Sequence, residues 1–330
     1  MNKMIVDSSL LELEDVIQNA SSALLDQQRD DGHWVFELEA DATIPSEYIL
    51  LVHYLAETPN LELERKIGNY LRRIQGEHGG WPLFHNGAFD ISATVKAYFA
   101  LKMIGDDINA PHMKRAREAI LAHGGAEHAN VFTRILLALY GELSWKSVPT
   151  IPAELILLPR WFPIHLSKMS YWARTVMVPL LVLASLKPLA RNPRNIHIGE
   201  LFKSKRAPAQ RRAPHQNRYW AWFFINLDRV LKVVEPFWPK KLHQRAIDRC
   251  VAFVTERLNG EDGLGAIYPA MTNSVMMFDA LGYKPDHPDR AIARHSVEKL
   301  LGVKEDEAYC QPCVSPIWDT ALACHALMEV

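Results

Sequence analysis

Apolar residues recur at helical spacing from the first stretch of the chain. Leu13, Val16, Ile17, Ala20 and Leu24 fall on one face, and Ser9 with Glu12 has the spacing of a capping box. The same three-to-four-residue rhythm predicts helices over 46–56, 93–103, 134–140, 171–186, 219–234, 243–258 and 273–281. Strict alternation of apolar and polar positions is scarce. Residues 155–164 could form a short extended piece, although Pro152, Pro159 and Pro163 bracket or interrupt it. The expected fold class is all-α.

Two segments repeat. Gln28, Gly32 and Trp34 stand in the same Q-x3-G-x-W frame as Gln75, Gly79 and Trp81, and all three positions share one offset. Each frame lies between two helical runs, so one unit is about two helices long. Asp262-Gly263-Leu264-Gly265 resembles a third copy, with Asn259 and Gly265 in place of the Gln and Trp. Gly permits a tight turn after the first helix, Gln offers donors and an acceptor to that turn, and Trp covers the junction. The frame is expected to be a structural clasp between stacked helices rather than a seat of chemistry.

Composition narrows the classes. The 330 residues are 48% hydrophobic and 23% charged, which supports a sizeable core. A formal net charge of -1 gives no global attraction to nucleic acid. No apolar run is long enough to span a bilayer, the N-terminus does not read as a signal peptide, and four cysteines fit a reducing compartment. One region departs from this even balance. Residues 187–218 carry Lys187, Arg191, Arg194, Lys203, Lys205, Arg206, Arg211, Arg212 and Arg218, broken by prolines. Tyr219, Trp220, Trp222, Phe223, Phe224 and Ile225 follow. A basic loop leading into an aromatic amphipathic helix suits a membrane interface. A core helix is the plainer alternative. Nucleic acid is disfavoured, because no sheet is evident to display the aromatics.

Candidate chemistry is thin when read from residues alone. Cys310 and Cys313 have C-x-x-C spacing with Cys324-His325 downstream, yet no second ligand pair completes a zinc site, so packing cysteines are expected. Glu37, Glu39, Asp41 and Glu47 could form a general-acid cluster or charged helix ends. No phosphate-binding glycine loop or nucleophile elbow occurs.

The motifs now described resemble a known family. Gln28 to Trp34 and Gln75 to Trp81 resemble the QW motifs of the squalene–hopene and oxidosqualene cyclases. Residues 169–175, 263–269 and 315–320 resemble bacterial squalene–hopene cyclases in order and spacing. The resemblance implies an α/α barrel (toroid) of QW-type helical repeats, with terminal segments belonging to a second α/α barrel. Residues 1–35 would be an N-terminal helix of that second barrel. Residues 36–310 would form the smaller barrel, with a membrane-facing element near 187–240, and 311–330 would begin the second barrel.

It further implies an isomerase that folds squalene, an apolar polyene, in a cavity and cyclises it to hopene or hopanol without metal or organic cofactor. Such enzymes are monotopic on the cytoplasmic face of the membrane and commonly homodimeric. The family's acid is the middle Asp of a D-x-D-D motif. Asp30-Asp31 and Asp106-Asp107 lack its flanking residues, so the chain resembles an N-terminal half and is expected to be inactive alone. By position, Trp172 and Trp318 match cavity aromatics that face carbocations, and Ile267, Tyr268 and Pro269 match a wall triplet whose middle residue is often Gln. Glu47 matches a carboxylate of the acid's hydrogen-bond network and Arg134 a partner of it. Lys96 stands where some members have Glu. Met169 and Met177 would narrow a channel from the membrane, entered beside Trp220, Trp222, Phe223 and Phe224. A non-catalytic α/α-repeat scaffold or lipid-binding protein is the alternative of a different class, and a prenyltransferase-like subunit a third.

Overall fold

The computed structural model describes residues 8–204, 217–258 and 263–329. Among these, twelve α-helices and one short hairpin form, in two compact units. The larger unit, residues 39–312, holds ten of the helices. Five of them are α2 (Thr43–Leu55), α4 (Ile91–Ile104), α6 (Val131–Leu139), α7 (Tyr171–Leu186) and α10 (Tyr268–Ala280). In α2, α4 and α10 nearly every residue is buried, as expected of helices with packing partners all round. α2 packs on α4 and α10, α4 on α6, and α7 on α10.

The partners of this inner set show a single buried stripe. In α5 (Pro111–Ala122) it comprises Met113, Ala116, Ala119 and Ile120, and in α9 (Lys240–Thr255) Ala246, Ile247, Cys250 and Val254. α3 (Leu61–Arg73) and α11 (Pro288–Glu298) behave alike. α3 and α5 pack on α4, α9 on α7, and α11 on α10. Inner helices apolar all round, backed by amphipathic outer ones, make an α/α barrel. α8 (Arg218–Val234) breaks the scheme, with only Ala221 buried.

Helix ends follow local chemistry. Asn60, Asp90, Asn130 and Ser170 cap α3, α4, α6 and α7 by accepting a backbone N–H from their first turns. Proline opens α5 and α11, where its missing N–H costs nothing. Pro179 lies inside α7 and removes the bond that would reach the Thr175 carbonyl. The hairpin pairs β1 (Leu301–Val303) antiparallel to β2 (Ala308–Cys310), and β2 packs against α3 and α2. Residues 155–164 are not extended. A 3-10 helix, Ala153–Leu157, and turns take their place, because the prolines leave too few donors for a ladder.

The smaller unit joins the two chain ends, 1–38 and 313–330. It holds α1 (Ser8–Leu25) and α12 (Pro316–Met328). Side chains 8–11 of α1, and with them the Ser9 cap, lie outside the described set, as do Asn259, Asp262, Lys205, Arg206, Arg211 and Arg212.

Candidate active site

The repeated frame makes the same three bonds in both copies. Gln75 Nε2 donates to the Gly79 carbonyl at 2.7 Å, and Gln28 Nε2 to the Gly32 carbonyl at 2.8 Å. Trp81 Nε1 donates to the Leu71 carbonyl and Trp34 Nε1 to the Leu24 carbonyl, each at 2.7 Å. Each indole thereby satisfies one of the orphan carbonyls at the end of the preceding helix. Gly79 and Gly32 have φ of +83° and +90°, open to glycine without strain. The backbone N–H of Trp81 donates to Thr94 Oγ1 on α4, and that of Trp34 to Thr320 Oγ1 on α12, both at 2.9 Å. Gly263 and Gly265 also have positive φ.

Within the larger unit a cavity of about 450 Å³ lies between α2, α4, α6, α7 and α10. Its wall is mainly apolar: Ile44, Leu50, Leu51, Ile135, Leu136, Leu139, Val176, Leu180 and Met276. Leu83 and Phe132 line it too, and both side chains are exposed to solvent. The polar lining residues include Asp41, Glu47, Lys96, Asn130, Tyr268, Thr272 and Asn273. Glu47 and Lys96 both line the cavity and form an ion pair, Nζ to Oε1 at 2.5 Å, with Lys96 only 8% exposed. Asp41 accepts from the Thr43 N–H and hydroxyl at the start of α2. Tyr268, fully buried, contributes a hydroxyl without a partner among the described residues. Burial pushes that phenol well above its ordinary range, with the nearby Cys310 and Glu47 adding to the effect. It therefore stays a neutral phenol.

Of the residues singled out in the sequence, Glu47, Tyr268 and Pro269 share this wall. Ile267 is half-buried and precedes α10 as its N-cap residue, outside the lining. Arg134 lies on α6 but donates to the Ser147 carbonyl at 3.2 Å, not into the cavity. Burial lowers its pKa from the ordinary guanidinium value. Met169 and Met177 are half-buried, and neither lines the cavity. Trp172 at the start of α7 is exposed, as is Trp318 on α12 in the smaller unit. Trp220, Trp222, Phe223 and Phe224 on α8 are exposed as well, Trp222 at 69%, and the rings of Trp220, Phe223 and Phe224 meet in one cluster, Trp220 stacked on Phe224 and Phe223 edge-on to both.

Sequence reasoning missed most of the wall. Tyr54, Phe132, Thr272 and Asn273 carried no signal, because an inner helix is apolar on every side and periodicity cannot tell a packed face from a cavity face. Lys96 was visible, but its bond to Glu47 was not.

The profile of the Squalene-hopene cyclase N-terminal domain matches residues 17–306. The chain belongs to the squalene–hopene cyclase family. It is 64% identical to a squalene–hopene cyclase of Zymomonas mobilis over 97% of this chain and 49% of that protein. A probable squalene–hopene cyclase of Sinorhizobium fredii is 61% identical over 100% and 51%. A dammaradiene synthase of Dryopteris crassirhizoma is 33% identical over 96% and 46%. The chain spans about half the length of these curated relatives, and it matches the N-terminal domain of the squalene–hopene cyclase family. The alternating inner and outer helices of residues 39–312 are the α/α barrel of that family.

Proposed function

We propose that this chain supplies the cavity wall and the membrane-docking element of a triterpene cyclase that converts squalene to hopene or hopanol. The observation that carries the reading is the cavity itself, mainly apolar and with the Glu47–Lys96 ion pair in its wall. A hydrocarbon polyene needs such a wall, and the carbocations formed during cyclisation need a site without free water.

The acid is assigned to the part of the relatives that this chain does not span, since no D-x-D-D motif occurs here. Glu47 then serves as a fixed negative group near the reacting end, held by Lys96. Trp172 and Trp318 are assigned to cation stabilisation through their ring faces. Ile267 supports the wall with Tyr268 and Pro269. Arg134 belongs to the polar network only indirectly, through the Ser147 loop. Met169 and Met177 are assigned to the approach from the membrane.

The aromatic face of α8 is assigned to seating in the cytoplasmic leaflet. No helix among the described residues is long and apolar enough to cross a bilayer, and this exposed cluster suits insertion from one side.

Squalene presented in detergent to the purified chain should give no hopene above a boiled control by gas chromatography. Radiolabelled squalene should nevertheless be retained, and Leu136→Trp, which fills the cavity, should reduce retention. Hopene from the chain alone would move the acid into Asp41, Glu47 or a neighbour. Retention indifferent to Leu136→Trp would favour the scaffold alternative.

A further inference from the structure

The volume of the cavity between α2, α4, α6, α7 and α10 sets what it can hold. A cavity of about 150 Å³ lined by aliphatic and aromatic side chains takes one benzene, six carbons. At that density about 450 Å³ takes about eighteen carbons, well short of squalene's thirty. Among the described lining residues, Leu83, Asn130 and Phe132 are the exposed ones. The cavity therefore opens between the stretch after the Trp81 clasp and the start of α6. Leu50, Leu51, Tyr54, Leu180 and Met276 are buried and close it elsewhere.

Charge restricts the occupant further. Asp41 and Glu47 line the space against one cation, Lys96, which is already paired with Glu47. A phosphate-bearing chain would meet an excess of carboxylate there, and burying its charge without a partner is costly. An uncharged chain meets no such penalty.

We propose that this cavity is a complete site for a linear isoprenoid hydrocarbon of up to about eighteen carbons, a fifteen-carbon chain in isoprene units, and holds squalene only in part. The inference rests on the reading of the cavity as a hydrocarbon site. Squalene's two ends are identical, so either can enter, and the remainder leaves past Leu83 and Phe132. Detergent or lipid covers that remainder. In water, each of its exposed CH₂ groups costs about a fourfold loss of occupancy. A fifteen-carbon chain leaves nothing outside, so without detergent the shorter hydrocarbon is the better ligand.

The test offers β-farnesene and squalene, each as its own liquid phase, to the Trp222→Ser/Phe223→Ser variant, whose altered α8 keeps it off the droplets. Each hydrocarbon then starts from its own liquid, and only the fit to the chain is compared. After the droplets are removed, gas chromatography of the extract should find about one farnesene per chain and at least tenfold less squalene. Leu136→Trp, which fills the space, should lower bound farnesene at least tenfold. Val176→Phe fills it from α7 and serves should the first substitution disturb the fold by circular dichroism. Farnesyl diphosphate should show no saturable binding by titration calorimetry.

Equal occupancy by squalene would overturn the proposal, because the whole polyene would then lie inside, and the cyclase-wall reading would stand. Farnesene indifferent to both filling substitutions would overturn it by placing the hydrocarbon elsewhere. Saturable binding of the diphosphate would overturn the choice of an uncharged chain. Binding of neither hydrocarbon would sink both the proposal and the reading it rests on.

Discussion

At the scale of single residues, the Glu47–Lys96 pair shows how position decides energy. Both side chains are largely withdrawn from water, so each depends on the other more than a surface pair would. Glu47→Leu should leave an uncompensated ammonium and lower stability by about 3 kcal/mol, read from urea unfolding. Adding Lys96→Met should recover most of that loss; a double variant as weak as the single one would show that the carboxylate has other work. The two clasp glycines make a second contrast. A Cβ at Gly79 would meet the Arg115 carbonyl oxygen at 3.0 Å, whereas one at Gly32 meets only the end of Gln28 at 3.8 Å. Both carry positive φ, so Gly32→Ala should cost about 1 kcal/mol and Gly79→Ala roughly twice that. Equal thermal shifts for the two would deny the carbonyl contact. The Gln, Gly and Trp of each clasp were legible because one offset relates them. Their threonine anchors were not, since Thr94 follows Trp81 by a whole loop and Thr320 lies at the far end of the chain. A shared Ile-x-x-Thr, at Ile91–Thr94 and Ile317–Thr320, was the signal available.

Among elements, the inner helices, α8 and the outer helix α9 were legible, and the outer helices α3, α5 and α11 were not. α7 begins and ends where the apolar rhythm puts it, and α8 differs by one residue. α3, α5 and α11 passed unseen because about half of their residues are polar or charged and only a narrow stripe is buried. Their junctions are held by charge. Asp106, just past α4, accepts from Arg72 on α3 and pairs with His112 on α5. Burial raises its pKa, but the bonds from Arg72 and His112 outweigh burial and hold the carboxyl below its ordinary 3.8. The folded value is the lower one, so this stabilisation is present above the unfolded pKa and lost as pH falls through the folded one. Asp106→Asn should cost on the order of 1 kcal/mol at pH 7, and the difference from the parent should shrink toward pH 3. A pH-independent gap would point to packing. For α8, replacing Trp222 and Phe223 with Ser should lower vesicle affinity by a few kcal/mol, at ~1.5–3 kcal/mol per buried apolar side chain. Circular dichroism should stay unchanged, because neither side chain is in the core.

For the whole molecule, the Trp34–Thr320 bond closes a span of 286 residues. Phe36 to Asp319 closes nearly as long a one. During synthesis at ~5–20 residues per second, α1 leaves the ribosome roughly 15 to 60 seconds before α12 exists to receive its clasp. The larger unit holds its own core and can form in that interval. α1 cannot complete its end, and the Leu24 carbonyl keeps its indole while Trp34 lacks its threonine. Chain-end order is thus a late event, set by elongation rather than by local helix formation. Pulse-labelled hydrogen exchange on refolding chain should find the Trp34 amide protected after the Trp81 amide, whose partner Thr94 is thirteen residues away.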